Sequence, residues 1–285
     1  MPPPRAIRIR EDAAPERGSH RQIGIGPKSR FPIVVAAAYD CALDDGRSGT
    51  LEAPNVIEPL SADRVAVIAP HPDDEVLGCG GTIARLTAGG AEVHVVIATR
   101  GRPPQFSESY MAAVMAEAET AHRLLGVTQT HRLDLPAAAL DAMPAAEINA
   151  RLGECLDAIA PDTLFIPFVG DIHLDHQACF TAAMVWARPR RADAPAQILA
   201  YETLSETNWA APGTTPAFLP NCFIDIADQL TLKIDAFAAF RSQAKAFPDE
   251  RSPEAIRALA TMRGATVFCR AAEAFMIVRQ IVRAS

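Results

Sequence analysis

From Arg64 onward the chain alternates two kinds of hydrophobic pattern. Short apolar runs rich in Val, Ile and Leu predict buried strands at 64–70, 92–98, 163–167, 197–201 and 222–226. Between them, apolar residues recur every three or four positions. The clearest case is 107–125, with apolar residues at 111, 114, 115, 118, 121, 124 and 125 and Gly126 as the stop. Similar spacing predicts helices over 78–86, 145–159, 177–188, 229–241 and 254–263. Asp225, inside the last apolar run, points to an edge strand or a turn facing a site. The alternation predicts an α/β fold, a mostly parallel sheet with helices on both faces, as a single domain over 63–285.

Residues 1–62 carry no persistent helical or strand period and are expected to form a largely irregular extension. Their first thirty residues hold seven basic side chains against three acidic ones, with Pro, Gly and Ser interspersed. An apolar stretch at 31–43 is a candidate docking segment for this extension.

Composition narrows the class. Of 285 residues 49% are hydrophobic and 21% charged, which excludes a disordered chain and allows a sizeable core. The net charge of -7 argues against a nucleic-acid partner, which would call for a basic surplus. No apolar run approaches the length needed to span a bilayer, and no signal-like segment is evident, so the expected location is cytoplasmic. The six cysteines at 41, 79, 155, 179, 222 and 269 form no CxxC pair. They are expected to be small buried hydrophobes in a reducing compartment.

In a parallel α/β sheet ligands bind beyond the carboxyl ends of the strands. Two clusters of ionisable residues fall there. Pro70-His71-Pro72-Asp73-Asp74-Glu75 follows the first strand, and Gly170-Asp171-Ile172-His173-Leu174-Asp175-His176 follows the third. An N-cap accounts for one aspartate of the first cluster and leaves His71, the second aspartate and both prolines without a reason. Crowded carboxylates repel unless a cation or a catalytic task compensates. His and Asp form a normal zinc ligand set, and a hydrolytic site needs three protein ligands drawn from the two loops. Gly78-Cys79-Gly80-Gly81 lacks the GxGxxG spacing of a dinucleotide site and is expected to let a helix pack closely on the sheet. The remaining histidines, His20, His94, His122 and His131, are expected to be structural or solvated.

On these residues the chain resembles the PIG-L/LmbE-like family of zinc-dependent N-acetylglucosaminyl deacetylases. The first family motif stands intact at 70–75 and the second, HxDH, at 173–176, and a looser match continues through Tyr201, Lys233, Gln243, Arg251 and Ala272. The first 62 residues lie outside it. The resemblance implies a Rossmann-like fold, one catalytic Zn2+ and hydrolysis of an N-acetyl amide on a small amino-sugar substrate. By position His71, Asp74 and His176 correspond to metal ligands, Asp73 to the general base, and His173 to the group that steadies the oxyanion or protonates the leaving amine. Asp175 is expected to orient His173. Arg100 departs from the family pattern at a strand end; it is either a substrate-binding residue or a surface arginine.

Two alternatives stay open beside the deacetylase: an amidase for another N-acyl compound, such as a thiol-sugar conjugate or antibiotic intermediate, and a non-catalytic sugar-binding module. A methyltransferase on a similar sheet would need a glycine-rich loop after the first strand. The physiological metal, the aglycone and whether the chain forms a homo-oligomer are not legible in the sequence.

Overall fold

The computed structural model describes residues 62–190 and 193–282. The extension expected over 1–62, with its docking segment, His20 and Cys41, lies outside these residues apart from Ala62. Seven strands form one sheet: β1 (Arg64–Ala69), β2 (Glu92–Arg100), β3 (Gln129–Pro136), β4 (Thr163–Pro167), β5 (Gln197–Tyr201), β6 (Cys222–Asp225) and β7 (Ala272–Gln280). The helices are α1 (Asp74–Ala88), α2 (Glu108–Leu125), α3 (Ala145–Ile159), α4 (Leu174–Trp186), α5 (Leu230–Ala238) and α6 (Pro253–Ala265). No helix among the described residues is long and apolar enough to cross a membrane.

The strand order is β3-β2-β1-β4-β5-β7-β6. Strands β1 to β5 pair in parallel, and β7 runs antiparallel between β5 and the edge strand β6. The chain moves outward from β1 through β2 to β3, then crosses back to lay β4 on the other side of β1. The order therefore reverses between β1 and β4, where an open α/β sheet forms its binding crevice.

Side-chain alternation along the strands separates two cores. Val65 and Val67 pack with Ile83, Phe165, Phe237 and Phe240 on one face. Ala66 and Ile68 pack with Leu152, Leu156, Leu164 and Ala183 on the other. A strand buried on both faces must be apolar at every position, which is why these runs carry no polar alternation.

The predicted helix over 107–125 has Ser107 at its N-cap, whose hydroxyl accepts from the amide of Tyr110 at 3.1 Å. Gly126 closes it at φ 76°, a left-handed turn that glycine adopts without strain. Two helices start earlier than the apolar period predicts: α1 at Asp74 and α4 at Leu174. The missing turns begin within the two ionisable clusters, whose Asp74, Glu75, Asp175 and His176 interrupt the apolar period. The apolar pattern predicts neither β3 nor β7. In β3 only Leu133 and Leu135 are buried, and Glu273 interrupts the apolar run of β7.

The glycines of α1 do pack it closely. A Cβ on Gly78 would run into the Tyr201 ring, and one on Gly81 would stand 2.7 Å from Ile226. Beside them, the buried Glu273 accepts from the amides of Gly81 at 2.9 Å and Thr82 at 2.7 Å. Lys233 donates to the Leu77 carbonyl at 2.7 Å and closes a 2.6 Å ion pair with Glu273.

Candidate active site

Both clusters meet in the crevice between β1 and β4. His71 to Asp73 lie in the loop after β1, and Asp74 opens α1. Asp171 lies in the loop after β4, His173 caps α4, and Asp175 and His176 occupy its first turn. The two helix starts bring two positive dipole ends to one place, which favours the carboxylates gathered there.

His71, Asp74 and His176 each place a ligand atom within 4.8 Å of the others. Nδ1 of His71 lies 3.3 Å from Asp74 Oδ2, and Nε2 of His176 lies 3.1 Å from the same oxygen. The opposite ring nitrogens are held by separate carboxylates. Nε2 of His71 is 3.0 Å from Asp175, and Nδ1 of His176 is 2.8 Å from Asp171. Those carboxylates are anchored in turn. Asp175 accepts from the amides of Ala138 at 2.6 Å and Leu140 at 3.1 Å, and Asp171 accepts from Thr207 Oγ1 at 2.6 Å. A histidine fixed from behind by a carboxylate is the usual arrangement for a metal ligand.

The donor set fits a divalent cation. Asp74 Oδ1 is buried without a hydrogen-bond partner among the described residues, and His176 Nε2 has only its poorly aligned 3.1 Å contact with Asp74, a costly state that a cation would relieve. Burial alone would lower both rings, but the hydrogen bonds of Asp175 and Asp74 hold His71 at about 9. The charge of Asp74 and the hydrogen bond to Asp171 hold His176 at about 10. Burial would raise Asp74, yet His176 and His71 keep it well below the ordinary carboxylate range. Two rings that hold protons this firmly around one ionised carboxylate also suit a metal, which displaces those protons on binding.

Asp73 sits beside this set with a different partner. Its backbone is left-handed, φ 119° and ψ -25°, a conformation costing about 1–3 kcal/mol in a residue other than glycine. Its amide donates to Glu75 Oε2 at 3.1 Å, and Glu75 Oε1 lies 2.8 Å from Nε2 of the buried His122. The ring of His122 also meets Thr130 Oγ1 at 2.7 Å, so this histidine is a structural one. The Asp73 carboxylate pairs with Arg251 Nη1 at 2.9 Å. Burial pushes Asp73 up to about 8 in spite of that guanidinium, with Asp74 and Glu75 adding to the rise.

His173 accepts from the amide of Asp175 through Nδ1 at 3.1 Å. Burial and the neighbouring His71 lower its pKa. The neutral ring therefore carries its proton on Nε2. The Asp175 carboxylate, expected to orient His173, stands 3.9 Å from that ring and hydrogen-bonds His71 instead.

A cavity of about 260 Å³ reaches His71, Asp73 and His173, and Glu206, Gln243 and Arg251 also line it. Arg100 does not line it: its guanidinium pairs with Glu108 on the surface, and Gly101 takes the place at the cavity wall. The arginine at the site is Arg251, to which sequence reasoning attaches no role. Glu75 and Asp171 are likewise left without one, although each lies inside a cluster. The rule that a ligating histidine needs a carboxylate behind it would have singled out Asp171.

Residues 66–187 match the family model described as PIG-L: GlcNAc-PI de-N-acetylase. The chain is 29% identical over 187 residues to the uncharacterized deacetylase YaiS of Escherichia coli K12, spanning 62% of this chain and 90% of that protein. Its fold superposes on the conserved protein TT1542 from Thermus thermophilus with a TM-score of 0.63 and 28% identity, covering 78% of this chain and 97% of that one. It superposes on N,N'-diacetylchitobiose deacetylase from Pyrococcus horikoshii, in complex with its inhibitor MPG, with a TM-score of 0.61 and 26% identity, covering 76% and 84%. Both ionisable clusters lie inside the segment that matches this family model.

Proposed function

We propose that the chain is a zinc-dependent hydrolase that removes the N-acetyl group from an N-acetylglucosamine-type sugar or glycoside. One observation carries the reading: His71 and His176 are each backed by their own carboxylate, while Asp73 stands outside the ligand set and is paired with Arg251. A set of two histidines and one aspartate with a spare buried carboxylate beside it suits amide hydrolysis and has no use in a binding module. The names of the relatives support the same substrate class.

In this reading His71, Asp74 and His176 hold the ion. Zinc supplies Lewis acidity toward a water molecule and toward the amide carbonyl. Asp73 takes a proton from the attacking water as the new carbon–oxygen bond forms. Arg251 holds that carboxylate in place and keeps it from turning away. The Nε2–H of His173 hydrogen-bonds the carbonyl oxygen, and keeps its proton, as negative charge develops there. When the carbon–nitrogen bond breaks, Asp73 returns its proton to the departing amine, and the free amine and acetic acid result, the acid ionising to acetate in water.

The test is release of acetate from N-acetylglucosaminides by wild-type protein and by Asp73→Asn, each with its metal content measured. The reading expects Asp73→Asn to keep the metal and lose about 10²–10⁴-fold in kcat. Near wild-type turnover by that variant would remove Asp73 from the reaction.

A further inference from the structure

The cavity at the catalytic cluster has two unlike walls. Arg251, Gln243 and Glu206 make one polar. The other comes from the first turns of α2 and the loop before it: Phe106, Tyr110, Met111 and Val114. Phe106 and Tyr110 lie nearly parallel, at 16°, with ring centroids 6.1 Å apart. A Cβ on Gly101 would stand 2.6 Å from Phe106 and 2.8 Å from Met111 Sδ, so the glycine is what allows both to close against the end of β2. The Tyr110 hydroxyl is already engaged, accepting from Gln243 Nε2 at 2.9 Å. Basic groups of the same segment are occupied as well: Arg100 pairs with Glu108, and Arg102 donates to the Asp134 carbonyl at 2.9 Å.

This wall offers a substrate almost nothing to hydrogen-bond and no free positive charge. One aromatic ring serves the carbon face of a sugar; the two rings of Phe106 and Tyr110, backed by the nearly buried Met111 and Val114, exceed it. Sugar hydroxyls or a phosphate placed there would lose water without gaining partners, whereas an apolar group gains by leaving water. We infer that the substrate carries an apolar group larger than the methyl of an acetyl, seated on the rings of Phe106 and Tyr110. The inference rests on the amide-hydrolase reading and names its substrate class: an N-acylated amino sugar made amphipathic by its acyl chain or its aglycone, not a free or phosphorylated sugar.

Two substrate series on zinc-loaded protein separate these sources. One lengthens the acyl group of an N-acylglucosamine from acetyl to butanoyl to hexanoyl. The other keeps acetyl and changes the free sugar to its methyl and then its phenyl glycoside. The expected result is a rise in kcat/KM along one series, roughly fourfold per methylene buried, flattened by Phe106→Ser and by Tyr110→Ser, the latter at a half-exposed position. Flat kcat/KM in both series, or a rise that both variants leave intact, overturns the inference while the hydrolase reading stands. Calorimetry reads the wall without turnover. Hexanoate should bind better than acetate, or phenyl glucosaminide better than methyl glucosaminide, and equal affinities within both pairs overturn the inference. Preferential binding together with no hydrolysis of any member supports the apolar wall and sinks the hydrolase reading instead.

Discussion

Arg251 reaches across 178 positions of sequence to set its Nη1 2.9 Å from Oδ2 of Asp73. The guanidinium is itself held, donating to Ser205 Oγ at 2.9 Å and to Gln243 Oε1 at 3.0 Å. A carboxylate buried next to two others would otherwise keep only the weaker attraction of His71. Arg251→Met keeps much of the volume and removes the charge. It should lose about 2 kcal/mol of interaction with Asp73, roughly thirtyfold in kcat/KM, with the metal content unchanged. Steady-state kinetics with metal analysis checks this, and loss of metal together with activity would move Arg251 into a purely structural role.

The carboxylates behind the histidines make a separate prediction. Asp171→Asn leaves His176 in place but weakens the group that fixes its ring, so metal affinity should fall about 10–100-fold while binding persists. His71→Ala removes a ligand and should abolish stoichiometric binding. Competition against a chelator of known affinity distinguishes the two, and equal affinities for Asp171→Asn and wild type would contradict the arrangement.

Lys233 and Glu273 form a buried ion pair wedged against the glycines of α1. Removing one partner leaves a buried charge uncompensated. Lys233→Met should cost about 3–5 kcal/mol of stability, on the order of 10 °C in Tm. The double variant Lys233→Met/Glu273→Leu should recover part of that loss. Thermal unfolding of the three proteins tests the pair, and a double variant less stable than the single one would show the carboxylate's bonds to Gly81 and Thr82 to be the larger contribution.

Away from the site, His94 Nδ1 and His131 Nε2 stand 3.1 Å apart on β2 and β3. Burial lowers the pKa of both, and the charge of His94 lowers His131 further. The unfolded chain therefore binds protons more readily than the folded one once pH falls through the ordinary value of 6.5. Stability from this pair is complete above that value and is lost on further acidification through the lowered pKa values. Denaturant midpoints at pH 7.5, 6.0 and 5.0 should fall less steeply for His131→Gln than for wild type. Parallel slopes would mean that the pair does not contribute.

Much of this was legible because the information is local. The strands buried on both faces are continuous apolar runs, and α2 and α3 have their full period and stops within their own segments. The two ionisable clusters are contiguous in sequence, so their residue types and their place after strands could be read together. What escaped depends on the fold. Edge strand β3 buries only two side chains, and β7 carries a charge whose partner lies 40 positions away. Asp175 reads in sequence as the partner of its neighbour His173, yet the first turn of α4 carries its carboxylate across the crevice to His71, 104 positions away. Glu75 and His122, 47 positions apart, meet only because α2 packs beside the start of α1. Arg100 occupies a strand end, as a substrate contact would, but Glu108 at the start of α2 takes its charge.

The central claim is that a metal held by His71, Asp74 and His176 makes this domain an amide hydrolase. The most direct test strips the metal from the full chain, reloads it with one equivalent of zinc, and measures free amine released from a panel of N-acylated glucosamines. The account predicts no release from the stripped protein and restored release on reloading for at least one member. Release that persists after complete stripping, or a reloaded protein with zinc bound that releases amine from none, would contradict it.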